Sequence, residues 1–258
     1  MAEKMLHDTL APLTPLWYTA IAASVAVIAA LVLAGRCLGT QGKNRLALLL
    51  GVFLLVREIW IHPYLASRGL WTKDSSLPLH LCDITAIFSW VAIIWRHQVV
   101  YECLFYWGIP GAIISLATPE FTLAPEVIKD DGTLNETLIF LNYYVSHGGI
   151  LASSLYLTFA LGRRPGRGSW WKISLLGLPL LLAVGLLNKL IDTNYIFLCY
   201  PPQVASGLII GDWPWYVFGM IFMVTLCSLL LYIPYGLQYR KEDRVKKVGN
   251  LAGSSLLE

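Results

Sequence analysis

Charge is what this sequence has least of. Of 258 residues, 19 are Lys or Arg and 16 are Asp or Glu, together 14%, where an ordinary soluble domain carries about a quarter. With 57% hydrophobic residues and a mean hydropathy of +0.62, the chain has more apolar surface than a soluble core buries. Its runs of roughly 20 apolar residues assign that surface to a lipid bilayer. A soluble enzyme, a nucleic-acid binder and a disulfide-rich secreted module are excluded together. The net charge of +3 arises from short basic clusters between apolar spans, as membrane topology requires, and gives no nucleic-acid partner. Paired cysteines are missing as well: Cys37, Cys82, Cys103, Cys199 and Cys227 are scattered, with no CxxC and no ligand spacing. Neither a disulfide framework nor a zinc site is indicated. A Gly-rich phosphate loop is also lacking, so no metal and no soluble cofactor is expected. No internal repeat is evident, and with it the inverted-repeat signature of many secondary transporters is missing.

What is present is a set of seven apolar spans, at roughly 14–34, 45–66, 77–95, 99–117, 137–160, 170–191 and 213–234, each long enough to cross the hydrocarbon. They predict an all-α polytopic membrane protein, a seven-transmembrane-helix bundle over residues 1–240. A tail over 241–258, basic and then disordered, follows it. The first span is read as a retained helix, because its flank is not basic and it is too long for a signal peptide. Orientation follows from Lys and Arg. Arg36, Lys43, Arg45, Arg96, Arg163, Arg164, Arg167, Lys172, Arg240, Lys241, Arg244, Lys246 and Lys247 all fall on one side. The opposite loops hold only Lys4, Arg68, Lys73 and Lys129, and the 118–136 loop is acidic, with Glu120, Glu126, Asp130, Asp131 and Glu136. The N-terminus is therefore expected outside and the C-terminus in the cytoplasm.

Ionisable residues inside spans carry the most information, since each costs at least ~2.5–3.5 kcal/mol at a helix centre. They are Arg57 and Glu58 in the second span, His80 and Asp83 in the third, Glu102 in the fourth, His147 in the fifth, and Lys189 and Asp192 in the sixth. Helical rise puts Cys82 ~8 Å and His147 ~15 Å below the outer boundary. Most of the set falls in the outer half of the bilayer, where one polar cavity would satisfy it. Glu102 lies near the cytoplasmic end and is expected to be solvated. Read blandly, these charges are a buried ion-pair network that fixes helix packing, and a lone cysteine or histidine in a span is a filler or a helix-to-helix hydrogen-bond partner.

The setting of Cys82 goes further. In Ser75-Ser76-Leu77-Pro78-Leu79-His80-Leu81-Cys82-Asp83 a serine can cap a helix and a proline is tolerated in its first turn, which puts the thiol near a helix N-terminus. That end favours a thiolate, while Asp83 and apolar burial oppose it, so the sequence leaves the ionisation open. With His147 in reach, the two would form a nucleophile and base as in Cys–His acyl transfer. His80 and Asp83, three apart, share a face, so His80 is a less natural base for Cys82 and is expected to orient Asp83 or a head group. Tyr143 and Tyr144 precede His147 by four and three residues and lie over the same face.

The runs LPLHLCD at 77–83, YWGIPGAIISLATPEF at 106–121, VSHGG at 145–149, NKLIDTNYIFL at 188–198 and GDWPWY at 211–216 resemble the YwaF-like integral membrane family of bacteria. Its vertebrate branch is the transmembrane protein 164 group. The resemblance implies a multi-span protein and, for the vertebrate branch, an acyltransferase that moves fatty acyl chains between glycerophospholipids through a cysteine acyl-thioester. The family's cysteine falls on Cys82 and the histidine of its Ser-His-Gly motif on His147. That branch is distantly similar to the androgen-induced hydrolases of fatty-acid esters of hydroxy fatty acids, which use a threonine and a histidine within the membrane. The Cys199-Tyr200-Pro201-Pro202 segment departs from the family pattern, in which a basic residue often precedes the proline.

The expected activity is a lipid acyltransferase or acyl-ester hydrolase with Cys82 as nucleophile and His147 as base, and phospholipid and lysophospholipid as substrates. Arg57 or Lys189 is the candidate for the lipid phosphate, and Asn188 or Asn194 for the oxyanion. Trp213-Pro214-Trp215-Tyr216 reads as an aromatic-belt anchor. The rival from another class is a seven-helix transporter or receptor whose mid-membrane charges bind a ligand or relay protons through Asp83, His147 and Asp192. A retinal protein is disfavoured, because the last span has no lysine. A purely structural membrane protein is the third reading, and it tolerates Cys82→Ala. The oligomeric state is left open.

Overall fold

The computed structural model describes residues 7–9, 13–122, 128–201 and 211–254. Lys4, Glu126, Pro202 and the last four residues of the tail lie outside the described residues, as do the side chains of residues 120–136. Helix α1 spans Pro15–Cys37, α2 Thr40–Ser67, α3 Leu81–Ile94, α4 Gln98–Cys103, α5 Ile109–Ala117, α6 Ile128–Leu155, α7 Ser169–Ile191 and α8 Trp215–Ser254. A π-helical turn, Leu104–Gly108, joins α4 to α5 into one rod, and a second, Tyr156–Ala160, extends α6. A short 3₁₀ turn, Tyr195–Phe197, follows α7. The first π turn sits where Pro110 offers no N–H to the carbonyl of Tyr106, which is the kind of gap a wider turn absorbs.

Among the described residues five helices are long and apolar enough to cross a membrane: α1, α2, the α4–α5 rod, α7 and α8. The α4–α5 rod is the most buried and forms the centre, with α3, α6 and α8 packed on it; α2 packs on α3, α1 on α6, and α7 on α8. Tyr101, Leu104, Tyr106, Ile150, Tyr156 and Leu157 make the fully buried core. The outer faces carry Leu49, Phe53, Leu182, Leu190 and Phe222 in the open, the distribution of a bundle whose solvent is lipid.

The expected bounds of the first, second, fourth and sixth spans differ from α1, α2, the α4–α5 rod and α7 by a few residues. Further elements depart from the reading. The fifth span begins at Ile128 rather than 137, so the stretch read as an acidic loop over 118–136 is helical from Ile128. The third span begins at Leu81 rather than 77, and no serine caps it: His80 is the residue before the helix and makes no side-chain capping bond. Ser76 instead accepts the N–H of Thr72 at 3.1 Å. Residues 73–80 are turns held by Tyr195, whose hydroxyl accepts from the N–H of Leu77 at 3.0 Å and donates to the carbonyl of Lys73 at 2.6 Å. The last helix runs on unbroken past residue 240 to Ser254. The two strands β1, His7–Thr9, and β2, Glu120–Thr122, pair antiparallel and add a small ribbon to the all-α architecture.

Candidate functional site

Arg57 and Glu58 sit beyond the middle of α2, where hydrocarbon depth demands that each charge find a partner. Arg57 Nη1 meets Glu58 Oε2 at 2.6 Å, and its Nε donates to Oδ1 of Asn142 on α6 at 2.8 Å. Glu58 Oε1 lies 3.8 Å from Nε2 of His62, one turn on. Each partner of the ion pair keeps only 15% side-chain exposure. The guanidinium also acts electrostatically on Asp83 and Cys82 of α3 and on His147 of α6, and Glu58 acts on Asp83. Arg57 thus ties α2 to α6 by direct bonds and lies in electrostatic range of α3.

Cys82 is the second residue of α3, so its own N–H and that of Asp83 precede the first intrahelical bond, which runs from Ile84 N–H to the carbonyl of His80 at 3.0 Å. Asp83 stands in that first turn, where a carboxylate complements the helix dipole. The Cys82 thiol lies 3.9 Å from Asp83 Oδ1. Thr85 donates back to the carbonyls of Leu81 and Cys82 at 2.9 and 3.1 Å.

Two imidazoles, His80 just before this turn and His147 on the neighbouring α6, stand in opposite hydrogen-bonding states. His147, buried on α6, has Nδ1 2.9 Å from the carbonyl of Tyr143, and its ring lies on the Tyr143 ring at 4.1 Å. A carbonyl only accepts, so Nδ1 carries the proton and the neutral ring keeps its lone pair on Nε2. His80 is the converse. Its Nδ1 accepts the N–H of Ile196 at 3.3 Å, so the neutral ring carries its proton on Nε2. Its ring packs on Tyr195 and Phe197 at 4.9 and 5.5 Å. Ile196 reaches it from a left-handed backbone, φ 56°, rare for a β-branched residue. The loop after α7 is therefore held in a strained shape against His80. Among the described residues Cys82 and His147 do not hydrogen-bond to each other; each has its own partner, and Arg57 lies within electrostatic range of both.

The remaining candidates divide. Tyr143 donates to the carbonyl of Ser115 at 2.9 Å, tying α6 to α5, and Tyr144 is buried beside Phe140. Asn188, 1% exposed, accepts from Thr193 Oγ1 and Tyr195 N–H and donates to the Tyr195 carbonyl, all at 2.9 Å. Asn194 donates to the carbonyl of Tyr200 and accepts from the N–H groups of Cys199 and Tyr200. Both amides thus build the loop. Lys189 and Asp192 are exposed at the end of α7 and do not enter the Arg57 cluster. Glu102 is not solvated: it is buried, accepting from Gly166 N–H at 2.7 Å and Gln98 Nε2 at 2.8 Å, because the 161–168 loop folds over it. Sequence reading passed over Asn142 and Ile196. Asn142 carried a signal, as an amide inside a span; a backbone N–H such as that of Ile196 carries none. Among the described residues no three His, Cys, Asp or Glu side chains gather as metal ligands would.

The model of the TMEM164 family matches residues 6–232, from before α1 into α8. This chain belongs to the TMEM164 family. As a member of the TMEM164 family it has a bacterial relative, an uncharacterized protein of Treponema pallidum (strain Nichols), 26% identical over 165 residues, 62% of this chain. The chain spans 63% of the length of that relative. No solved structure matches it. The chain is an integral membrane protein.

Proposed function

We propose that this member of the TMEM164 family is a membrane-embedded acyltransferase or acyl-ester hydrolase for glycerophospholipids in a bacterial plasma membrane, with Cys82 as nucleophile and His147 as general base. The observation that carries the reading is the packing of α3 on α6, with Cys82 in the first turn of α3 and His147 buried on α6 with its Nδ1 on the Tyr143 carbonyl. The free Nε2 lone pair of His147 adds to it, since that is the nitrogen a base needs. In this scheme a phospholipid ester carbonyl enters between the two. His147 Nε2 takes the thiol proton as Sγ bonds to the carbonyl carbon, and His80 donates from Nε2 to the oxygen that becomes the oxyanion. Collapse breaks the carbon–oxygen ester bond, and His147 returns the proton to the departing lysophospholipid hydroxyl. A second lysophospholipid, or water, then gives its proton to His147 and attacks the thioester, releasing the new ester or fatty acid and the Cys82 thiol. Glu58 and Asn142 hold Arg57, and the Tyr143 carbonyl holds the base. Lys189, exposed at the end of α7, is the cation for the lipid phosphate.

In the same proposal α1, α2, α3, the α4–α5 rod, α6, α7 and α8 are seven spans of one transmembrane domain over residues 1–240. The N-terminus faces outward and the basic end of α8 faces the cytoplasm. A second reading, a proton or small-ligand path, is favoured by the meeting of Arg57, Glu58 and Asp83 at one depth. It needs no thiol, which separates the two. Intact-protein mass spectrometry after incubation with phospholipid vesicles is the test. Wild type gains a fatty-acyl mass that hydroxylamine removes, Cys82→Ala gains none, and His147→Ala is acylated at least ~100-fold more slowly. An unmodified wild-type protein sinks the acyl-ester reading.

A further inference from the structure

We infer that a cavity of about 140 Å³ between α3, α7 and α8 holds the fatty acyl chain of the lipid being cleaved, an inference that rests on the acyl-ester reading above. Its outer end is formed by Leu81 and Ile196. The first is the residue before Cys82, and the second gives its N–H to His80, so the cavity is bounded by the immediate neighbours of the thiol residue and of the proposed oxyanion donor, though neither of these two lines it. From there it is apolar. Its inner wall includes Trp107 of the buried rod, and Ser174, one of its few polar side chains, already donates to the Trp170 carbonyl at 2.8 Å. A site lined by hydrocarbon but for Ser174 and Thr225 selects an alkyl chain over a polar solute. Leu178 both lines the cavity and is 46% exposed on the lipid-facing side of α7, so a chain enters sideways from the bilayer. The lining on α8 runs from Val217 to Thr225, which by helical rise takes in about 12 Å of chain; the rest stays in the bilayer. A larger cavity of about 360 Å³ between α1, α2 and α6 passes Val145 and Gly148 beside His147 but borders no residue of α3, so it does not lead to the thiol.

Gly177 lines the proposed site, and a Cβ there would meet Trp107 at an ordinary 3.6 Å, so a larger side chain at that position projects into the cavity without displacing the rod. Full-length protein is incubated with phosphatidylglycerol vesicles of graded acyl length, and the mass on Cys82 is read for wild type, Gly177→Phe, Thr225→Phe and the lipid-facing control Leu186→Phe. Both cavity variants shift the preference toward short chains by at least tenfold, while the control keeps the wild-type profile. Wild-type profiles in both folded cavity variants overturn the site while leaving the thioester reading intact. Should wild type take no acyl mass, the acyl-ester reading falls on its own. The cavity is then decided by photo-crosslinking wild type with a phosphatidylglycerol bearing a mid-chain diazirine. Label on the Met220–Ile221 segment of α8 supports a chain site, and label confined to α1, α2 and α6 overturns it.

Discussion

At the scale of single residues, the two histidines of the site show how a neighbour's backbone sets a side chain's chemistry. A carbonyl against His147 and an N–H against His80 assign opposite tautomers to the same ring. The amide of Asn188 is instead a brace, bonded to three groups of the loop that carries Ile196. Asn188→Ala leaves the Tyr195 N–H and the Thr193 hydroxyl without partners, and the Tyr195 carbonyl with only the longer bond from Leu198 N–H, and is expected to cost roughly 3 kcal/mol; thermal unfolding in detergent checks it. His80→Ala is expected to slow Cys82 acylation about 10²–10³-fold with a smaller loss of stability. Equal losses of melting temperature in the two variants would remove His80 from the oxyanion role. Hydropathy could place Cys82, His147, Arg57 and Asp83 at neighbouring depths, because depth follows from counting along a helix. It could not say which way Asn188 or Glu102 points, since rotation about the axis and the folding of loops are set by partners remote in sequence.

At the scale of elements, close approach of helices decides where bulk is tolerated. Gly35 of α1 lies against the ring of Tyr156, which is fully buried and pinned by its bond to the Lys43 carbonyl at 2.8 Å. A Cβ there would fall inside that ring, whereas one at Gly148 of α6 meets open space. Gly35→Ala is therefore expected to destabilise by about 1–3 kcal/mol, and Gly148→Ala to be neutral or to gain up to ~1 kcal/mol of helix propensity. Chemical unfolding of the two variants side by side measures the difference, and equal stabilities would contradict the packing described. The long helices were legible because lipid demands unbroken apolar runs. The β1–β2 ribbon was not, since three-residue strands leave too little alternation to read. Nor was the start of α3, where Pro78 permits a helical first turn that the bonds of Tyr195 to Lys73 and Leu77 override.

For the molecule as a whole, the proposed orientation can be read with cysteines the chain already has. Cys37 ends α1 and Cys199 lies in the loop after α7; both are free and exposed. With the N-terminus outside, an impermeant maleimide applied to intact cells labels a variant retaining Cys199 alone and spares one retaining Cys37 alone until the membrane is opened. The reverse pattern would invert the topology. The basic clusters that motivate this orientation also reach the fold itself: Arg167 pairs with Asp243 at 2.6 and 2.9 Å and Arg164 with Glu242 at 3.3 Å, which fastens the loop before α7 to the far end of α8.

Helix α3 has 14 residues, about 21 Å of rise against a hydrocarbon layer of ~30 Å. If its inner end is level with its neighbours, its outer end stops ~9 Å short of the interface, and the turns of 73–80 fill the gap with backbone groups satisfied inside the protein. The outer leaflet then has reason to dip over Cys82, as bilayers thin around a short apolar segment. An ester at the glycerol level of that dimple sinks toward the thiol while its lipid stays seated among its neighbours. Under the proposed function the missing turns of α3 are a hydrophobic mismatch that lowers the membrane surface toward Cys82, and a thin bilayer is the lipid's approach.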